Sequence, residues 1–313
     1  MSVLTLVKYQ GLGNDFLLAL DGRLLDAAAD ERADRRAESG APGAAGADRL
    51  GELARALCDR HRGVGADGLI VLRPAGSNVD VRMELRNADG GRAETSGNGL
   101  RCLALAAVEA GLVPGPELAV ETDAGVRRAV LRQHDEPGSA YVSVEMGRLR
   151  VAPSRVVSDP LLPGSPREPW PSWFVDSGNP HLVLLAPSLE GVPIGAIGPI
   201  LERQRPGGQN VEIVTRDAGR GDDELSLLVW ERGAGVTLAC GTGSAAAAAA
   251  LHCAGISSAQ VRVHNPGGTA EVTLSGDDPF SPFAELAGAV HRVARIEVDP
   301  TALGASEVVV VAS

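Results

Sequence analysis

The sequence predicts an α+β fold with two similar halves, and three observations point there. The 313 residues exceed one small domain and suit two of about 150 residues each. Many short segments alternate apolar and polar residues, with few helical stretches between them and no steady βαβ alternation. A glycine-rich turn recurs about half a chain apart, as Ser96-Gly97-Asn98-Gly99 and Cys240-Gly241-Thr242-Gly243, with 144 residues separating Ser96 from Cys240. Each turn leads into an alanine-rich helix that ends near a glycine, Gly111 or Gly255. Such an internal echo sets architecture, because two similar halves would place two helix N-termini in comparable positions.

The elements follow in order. Val3 to Tyr9 alternates as a strand, Gly11-Leu12-Gly13-Asn14-Asp15 turns, and Phe16 to Leu20 is a second strand. Asp26 to Asp48 is rich in Ala, Asp, Arg, Gly and Glu; part is expected to be helical, and Ser39 to Ala47 reads as a flexible surface insertion. Arg49 to Arg60 predicts a helix; Gly68 to Arg73 and Val79 to Leu85 predict strands. A helix over Arg101 to Gly111 is opened by the first glycine turn. Leu118 to Thr122, Arg127 to Arg132 and Tyr141 to Met146 are strands, and Pro153 to Pro171, with six prolines, is an irregular connection. Phe174 to Val175, Leu182 to Leu185, Val211 to Thr215 and Leu225 to Glu231 are strands, followed by a helix over Gly243 to Ala254. Val261 to Val263, Glu271 to Leu274, Ala284 to Ala287 and Val293 to Val298 finish a sheet-rich tail.

Composition excludes several function classes. Hydrophobic residues make up 44%, enough for a sizeable core, and the formal net charge is −11. So acidic a surface repels phosphate backbones, and 3% aromatics leave few stacking platforms, so no nucleic-acid partner is expected. Lys8 is the only lysine and hence the sole Schiff-base candidate for a pyridoxal-phosphate enzyme. Four cysteines, Cys58, Cys102, Cys240 and Cys253, are too sparse for a disulfide scaffold and fit a reducing compartment. Met1 to Gln10 lacks a basic leader, and the longest apolar run, Ser244 to Cys253, falls short of a membrane span. A cytoplasmic protein without membrane partners is expected. His61 and Asp67 lack the further ligands a metal site needs, so no metal is expected. Asp176, Ser177 and His181 lack a nucleophile elbow, and Arg35-Arg36 reads as a solvated face.

A helix N-terminus offers unpaired N–H groups and partial positive charge, and glycines let a small anion approach the backbone. A carboxylate or phosphate is the natural guest. The turns lack a P-loop ending and the spaced G-x-G-x-x-G, which argues against a nucleotide. Cys240 stands where a helix end would lower a thiol pKa and favour thiolate. The plain alternative is a small residue chosen for a crowded turn.

The stretch Glu231-Arg232-Gly233-Ala234-Gly235-Val236-Thr237-Leu238-Ala239-Cys240-Gly241-Thr242-Gly243 resembles the second signature of diaminopimelate epimerases. The first signature is matched by Asn87-Ala88-Asp89-Gly90 and Ser96-Gly97-Asn98-Gly99-Leu100-Arg101-Cys102. Gly11-Leu12-Gly13-Asn14-Asp15-Phe16, Cys58-Asp59-Arg60-His61 with Gly63-Val64-Gly65, Gly178-Asn179-Pro180-His181 and Asn210-Val211-Glu212 also match, in family order from residue 8 to about residue 250. The resemblance implies two pseudo-symmetric halves, each a β-sheet or barrel around a central helix, with the active site in the cleft between them. It places the N-terminal half at 1–120, with an insertion at about 27–50 and a return over 297–313, and the C-terminal half at 121–296. It implies cofactor-free inversion of an amino-acid α-carbon, a small zwitterionic amino-acid substrate, and a homodimer as the assembly common among relatives. The single lysine agrees with chemistry that does not use pyridoxal phosphate.

Inverting an α-carbon needs proton removal on one face and delivery on the other. The resemblance implies Cys240 as one base, with Glu231 and His181 tuning or relaying protons. Gly97, Asn98, Gly241 and Thr242 would cradle the reacting carboxylate. Asn14, Asn87, Asn179, Asn210 and Arg232 would bind the distal amino and carboxylate groups, the arginine as a bidentate fork. Two positions depart from the family. Ser96 stands where the family has its other catalytic cysteine, and Val236 where it usually has an acidic residue. A serine hydroxyl is a far weaker acid than a thiol. Three readings stay open: epimerisation of LL- to meso-diaminopimelate with Ser96 or a water relaying the proton, a one-base lyase or dehydratase, and a non-catalytic amino-acid binder. Cys102, inside the helix six residues beyond Ser96, reads as a core cysteine.

Overall fold

Two helices of this protein have no polar face, and the rest of the fold exists to enclose them. A computed structural model describes residues 3–22, 26, 48–76, 78–152, 155–157, 170–216, 221, 223–299 and 303. Helix α1 spans Arg49–Cys58, α2 Gly97–Glu109, α3 Ile194–Glu202 and α4 Gly241–Cys253. Every residue from Gly97 to Ala107 in α2 and from Gly241 to Leu251 in α4 is buried. A helix apolar all round must be surrounded on all sides.

Strands do the surrounding. The first eight are β1 (Leu4–Gly11), β2 (Asn14–Ala19), β3 (Gly68–Arg73), β4 (Val81–Asn87), β5 (Arg92–Ala93), β6 (Glu117–Thr122), β7 (Gly125–Glu136) and β8 (Ser139–Arg148). The rest are β9 (Arg150–Val151), β10 (Arg155–Val157), β11 (Trp170–Asp176), β12 (Pro180–Leu185), β13 (Asn210–Arg216), β14 (Glu224–Glu231), β15 (Gly235–Val236), β16 (Gln260–Asn265), β17 (Gly268–Ser275) and β18 (Phe283–Val298). Around α2 the pairing runs β1-β2-β3-β4-β6-β7-β8-β18 and closes on β1. Around α4 it runs β9-β11-β12-β13-β14-β16-β17-β18 and closes through β8, which continues into β9. The two barrels follow one plan. In each, a parallel pair (β2–β3, β12–β13) is followed by a second parallel pair that flanks the central helix in sequence (β4–β6, β14–β16).

The barrels share a seam. β18 is one strand of 16 residues. Its Phe283–Ala287 segment pairs with β17 in the second barrel, and His291–Val298 pairs with β1 in the first. The two tail strands expected at Ala284 to Ala287 and Val293 to Val298 are therefore one element. Gly288 and the polar stretch after Val290 obscured its continuity, while backbone pairing on both sides maintains it. β6, β7 and β8 take part in the first ring, and β18 pairs with β1 of that ring from His291 onward. Residues 27–47 of the expected insertion, 158–169 of the proline-rich connection and 304–313 lie outside the described residues. β10, within that connection, pairs with β11.

Helix α2 starts at Gly97, four residues before the expected start, so the glycine turn is its first turn. Helix α3 lies between Leu185 and Val211, a stretch in which the sequence predicts no element, and it contains Gly195, Gly198 and Pro199. Gly198 packs on Trp230, whose Cγ would stand 2.5 Å from any Cβ there, and this contact holds the helix on its sheet. No helix among the described residues is long and apolar enough to cross a membrane.

Inside the seam, Leu286 of β18 is fully buried beneath both helix starts. A Cβ on Gly97 or Gly241 would meet its Cδ2 at 2.7 or 2.8 Å. Leu286→Ala should cost about 2–5 kcal/mol, the range for emptying a well-packed leucine site. The urea midpoint of the variant measures it, and an unchanged midpoint would contradict this packing.

Candidate active site

Where the barrels meet, α2 and α4 point their N-termini at one another. A Cβ built on Gly241 would stand 3.2 Å from Gly97 Cα and 3.3 Å from Asn98 N. Only glycine permits this approach. Ser96 and Cys240 cap the two helices in the same way. Ser96 Oγ accepts from Gly99 N–H at 3.1 Å, and Cys240 Sγ from Gly243 N–H at 3.3 Å. Their carbonyls accept from Leu100 and Ser244 N–H. Each side-chain cap thus satisfies one orphan N–H, the carbonyls take the first regular helix bonds, and among the described residues no hydrogen bond takes up the N–H groups of Gly97, Asn98, Gly241 and Thr242, which remain for a guest.

A cleft of about 820 Å³ opens at this junction. Asn14, Asn87, Ser96, Gly97, Asn98, Asn179, Asn210, Glu231, Arg232, Cys240, Gly241 and Thr242 all line it. His181 does not. It is fully buried one layer behind, with its ring nitrogens against Asn179 Oδ1 (3.0 Å) and Glu212 Oε1 (2.7 Å). His181 therefore orients Asn179 instead of facing the cleft. Lys8 is also off the cleft, ion-paired with Asp15 at 2.7 Å and donating to Gly65 O.

The asparagines are held by their own partners. Asn14 Nδ2 donates to Asp67 Oδ2 at 2.7 Å, and Asn14 Oδ1 accepts from Asn98 Nδ2 at 3.2 Å. Asp67, first considered beside His61 for a metal, instead accepts from Asn14 and from Arg60. Asn98 Nδ2 also reaches Ala239 O at 3.3 Å, tying the two halves together. Asn179 Oδ1 accepts from Ser177 Oγ at 2.7 Å, and Asn210 Oδ1 from Arg232 N–H at 2.9 Å. With those oxygens occupied, Asn179 and Asn210 keep Nδ2 as their donor groups on the cleft lining, and Arg232 on the same lining donates from Nη1 to Gly207 O at 3.1 Å.

The two faces of the cleft differ sharply in chemistry. Phe16 and His181 open equivalent parallel pairings, against Gly68 and Asn210. Ile70 and Glu212 follow two residues on. A Cβ on Gly99 would stand 3.1 Å from Ile70 Cδ1, and one on Gly243 2.7 Å from Glu212 Oε1. Asn87 and Glu231 end the equivalent strands β4 and β14. Cys240 thus has Glu231, Glu212 and His181 around it, where Ser96 has Asn87, Ile70 and Phe16. The only hydrogen bond of Ser96 Oγ among the described residues is the cap to Gly99.

This setting overturns the expected low thiol pKa. Burial pushes Cys240 well above the ordinary thiol value, and the Glu231 and Glu212 carboxylates push it further. The Thr242 hydroxyl at 3.3 Å and the Gly243 N–H oppose this without prevailing. Burial also raises Glu231, against hydrogen bonds from Thr237 and Cys240. Glu231 and Cys240 thereby compete for one negative charge. Burial takes Cys58 and Cys102 up to about 12, which suits core thiols. Glu212 escaped the sequence reading as a site residue. Its signal was an acid within the otherwise apolar run of β13.

Solved structures with this arrangement include a probable proline racemase from Agrobacterium radiobacter K84 with bound carbonate, at TM-score 0.69 and 19% identity, covering 96% of this chain and 95% of that one. A hydroxyproline epimerase from Agrobacterium vitis with bound trans-4-hydroxy-L-proline matches at TM-score 0.70 and 17% identity, covering 97% and 94%. At that identity the likeness is one of fold. In sequence, the family model described as diaminopimelate epimerase matches residues 6–152 and 173–291. The diaminopimelate epimerase of Moorella thermoacetica is 34% identical over 285 residues, 87% of this chain and 92% of the relative. That of Pelotomaculum thermopropionicum is 37% identical over 268 residues, 82% and 86%. Twin barrels, facing helix ends and these relatives define an isomerase of the epimerase and racemase class. Within that class, the chain belongs to the diaminopimelate epimerase family.

Since negative neighbours hold Cys240 protonated, Glu231→Gln should lower its pKa. Iodoacetamide labelling of Cys240 at pH 8, followed by peptide mass spectrometry, should then be several-fold faster than in the wild type. Equal or slower labelling would show that Glu231 does not govern the thiol.

Proposed function

We propose that the protein interconverts LL- and meso-diaminopimelate without pyridoxal phosphate. The observation that carries the reading is the meeting of two helix N-termini beside a single buried thiol. The four free N–H groups suit the α-carboxylate, and Cys240 stands at the edge of that cradle. The distal wall favours this substrate over a simpler amino acid. Arg232 with the Nδ2 donors of Asn179 and Asn210 forms a donor-rich patch suited to a second carboxylate.

In this reading Cys240 passes its proton to Glu231 as the substrate seats, and the resulting thiolate removes the α-proton. The carbanion spreads its charge into the α-carboxylate, which the helix ends hold. Ser96 Oγ–H occupies the opposite face and donates a proton there, with a water restoring the hydroxyl. Its alkoxide is hard to form, so the reverse step is slow, and by microscopic reversibility inversion is slow in both directions. One observation favours a second reading: among the described residues Ser96 Oγ has no acid–base partner, which suits an enzyme that exchanges or eliminates from one face only.

Incubation with each isomer in D₂O separates these cases. The proposal expects rapid α-deuteration of one isomer with slower inversion, and a rise of about a hundredfold or more in inversion for Ser96→Cys. Deuteration with no inversion, even in Ser96→Cys, would support the one-face reading. No exchange with either isomer would overturn the substrate assignment.

A further inference from the structure

Within its buried stretch, Gly97 to Ala107, helix α2 carries one charged residue, Arg101, and it is fully buried inside the first barrel. Its guanidinium has no carboxylate partner among the described residues. Nη2 donates to Asn98 Oδ1, while Nε and Nη1 have no hydrogen-bond partner. Burial lowers its pKa to about 10, so it remains charged at neutral pH. The barrel wall makes room for it: a Cβ on Gly288 of the seam would stand 2.0 Å from Nη1. The matching position in α4, five residues after the cap, is Ala245. A buried cation without a counter-charge costs several kcal/mol of stability. Packing alone does not account for it, since the equivalent helix fills its barrel with alanine.

What Arg101 does hold is Asn98. Its bond to Oδ1 fixes the amide so that Nδ2 faces Asn14 and Ala239 O across the cleft. Its charge also adds to the positive end of α2, one turn from the free N–H groups of Gly97 and Asn98. We infer that Arg101 is a positioning residue whose buried charge, transmitted through Asn98 and the α2 N-terminus, stabilises the carboxylate as it gains charge from the α-carbanion. The substrate supplies the counter-anion that is absent among the described residues. Such an interaction strengthens between the ground state and the transition state, so its loss falls on kcat more than on KM. The inference rests on the proposed α-carbon chemistry, and its test includes one readout independent of that reading.

Arg101→Met keeps the volume and removes the charge, and Arg101→Lys keeps the charge. With diaminopimelate in D₂O, Arg101→Met should lower the kcat for α-exchange about tenfold to a hundredfold, with KM within about threefold. Arg101→Lys should recover most of the loss, and the unfolding midpoint of Arg101→Met should equal or exceed that of the wild type. Equal kcat in Arg101→Met and wild type would overturn the inference, as would equal losses in the two variants. The second readout is protection of Cys240 from iodoacetamide by inorganic sulfate, which needs no knowledge of the substrate. Arg101→Met should need about tenfold more sulfate than wild type or Arg101→Lys. Equal requirements, or no protection of the wild type, would overturn the inference. If the wild type exchanges neither diaminopimelate isomer, the substrate reading fails and the sulfate comparison alone decides the role of Arg101.

Discussion

Two helix N-termini pressed together are an electrostatic liability, and the rest of this fold manages it. Each end carries about half a positive charge, and like ends repel. They nevertheless approach so closely that a Cβ on Gly241 would stand 3.2 Å from Gly97 Cα. The repulsion is opposed by construction: each helix is enclosed by eight strands, and the barrels are welded along β18 and β8–β9. Leu286 lies under both starts, so neither helix can withdraw independently. An anion between the ends relieves the repulsion, which makes affinity for a carboxylate a property of the scaffold before any side chain is considered.

That constraint explains what could be read from the sequence. The repeated small-Gly-x-Gly turns had to be glycine for the helices to meet, and the helices had to be apolar on every side to live inside barrels. Both features are local and visible in the chain. The strand segments were legible from alternation for the same reason, since each barrel wall has one face inward. The seam was less legible, because β18 changes neighbours midway and its exposure pattern changes with them, so it read as two strands. Helix α3 was hidden because its glycine serves a contact with Trp230, distant in sequence. At the site, residues that touch the cleft announced themselves through the family signatures. Residues one layer behind did so only as anomalies: Glu212 in an apolar strand, Arg101 in an apolar helix. The direction of the Cys240 shift was missed because a helix end was visible in sequence, while the burial and the two carboxylates that outweigh it come from folding.

The two halves share topology but not chemistry, and the difference has a sense. The second half sets Glu231 and Glu212 near its cap, and the first sets Arg101 behind its own. Across a cleft of low dielectric this arrangement places positive charge on the α2 side and proton acceptors on the α4 side. The cleft is therefore electrostatically asymmetric rather than a symmetric cradle. On the proposed reading, charge developing on a substrate carboxylate is favoured toward α2 and the α-proton is drawn toward Cys240 and Glu231. The shared plan of the two barrels brings the two helix ends to face each other. Departure from symmetry at Ser96, Asn87 and Ile70 puts a hydroxyl, an amide and an apolar side chain where the α4 side has a thiol and two carboxylates. On the α2 side Ser96 Oγ has no hydrogen bond beyond its cap to Gly99 among the described residues, so the chemical asymmetry of the cleft is concentrated at its two caps.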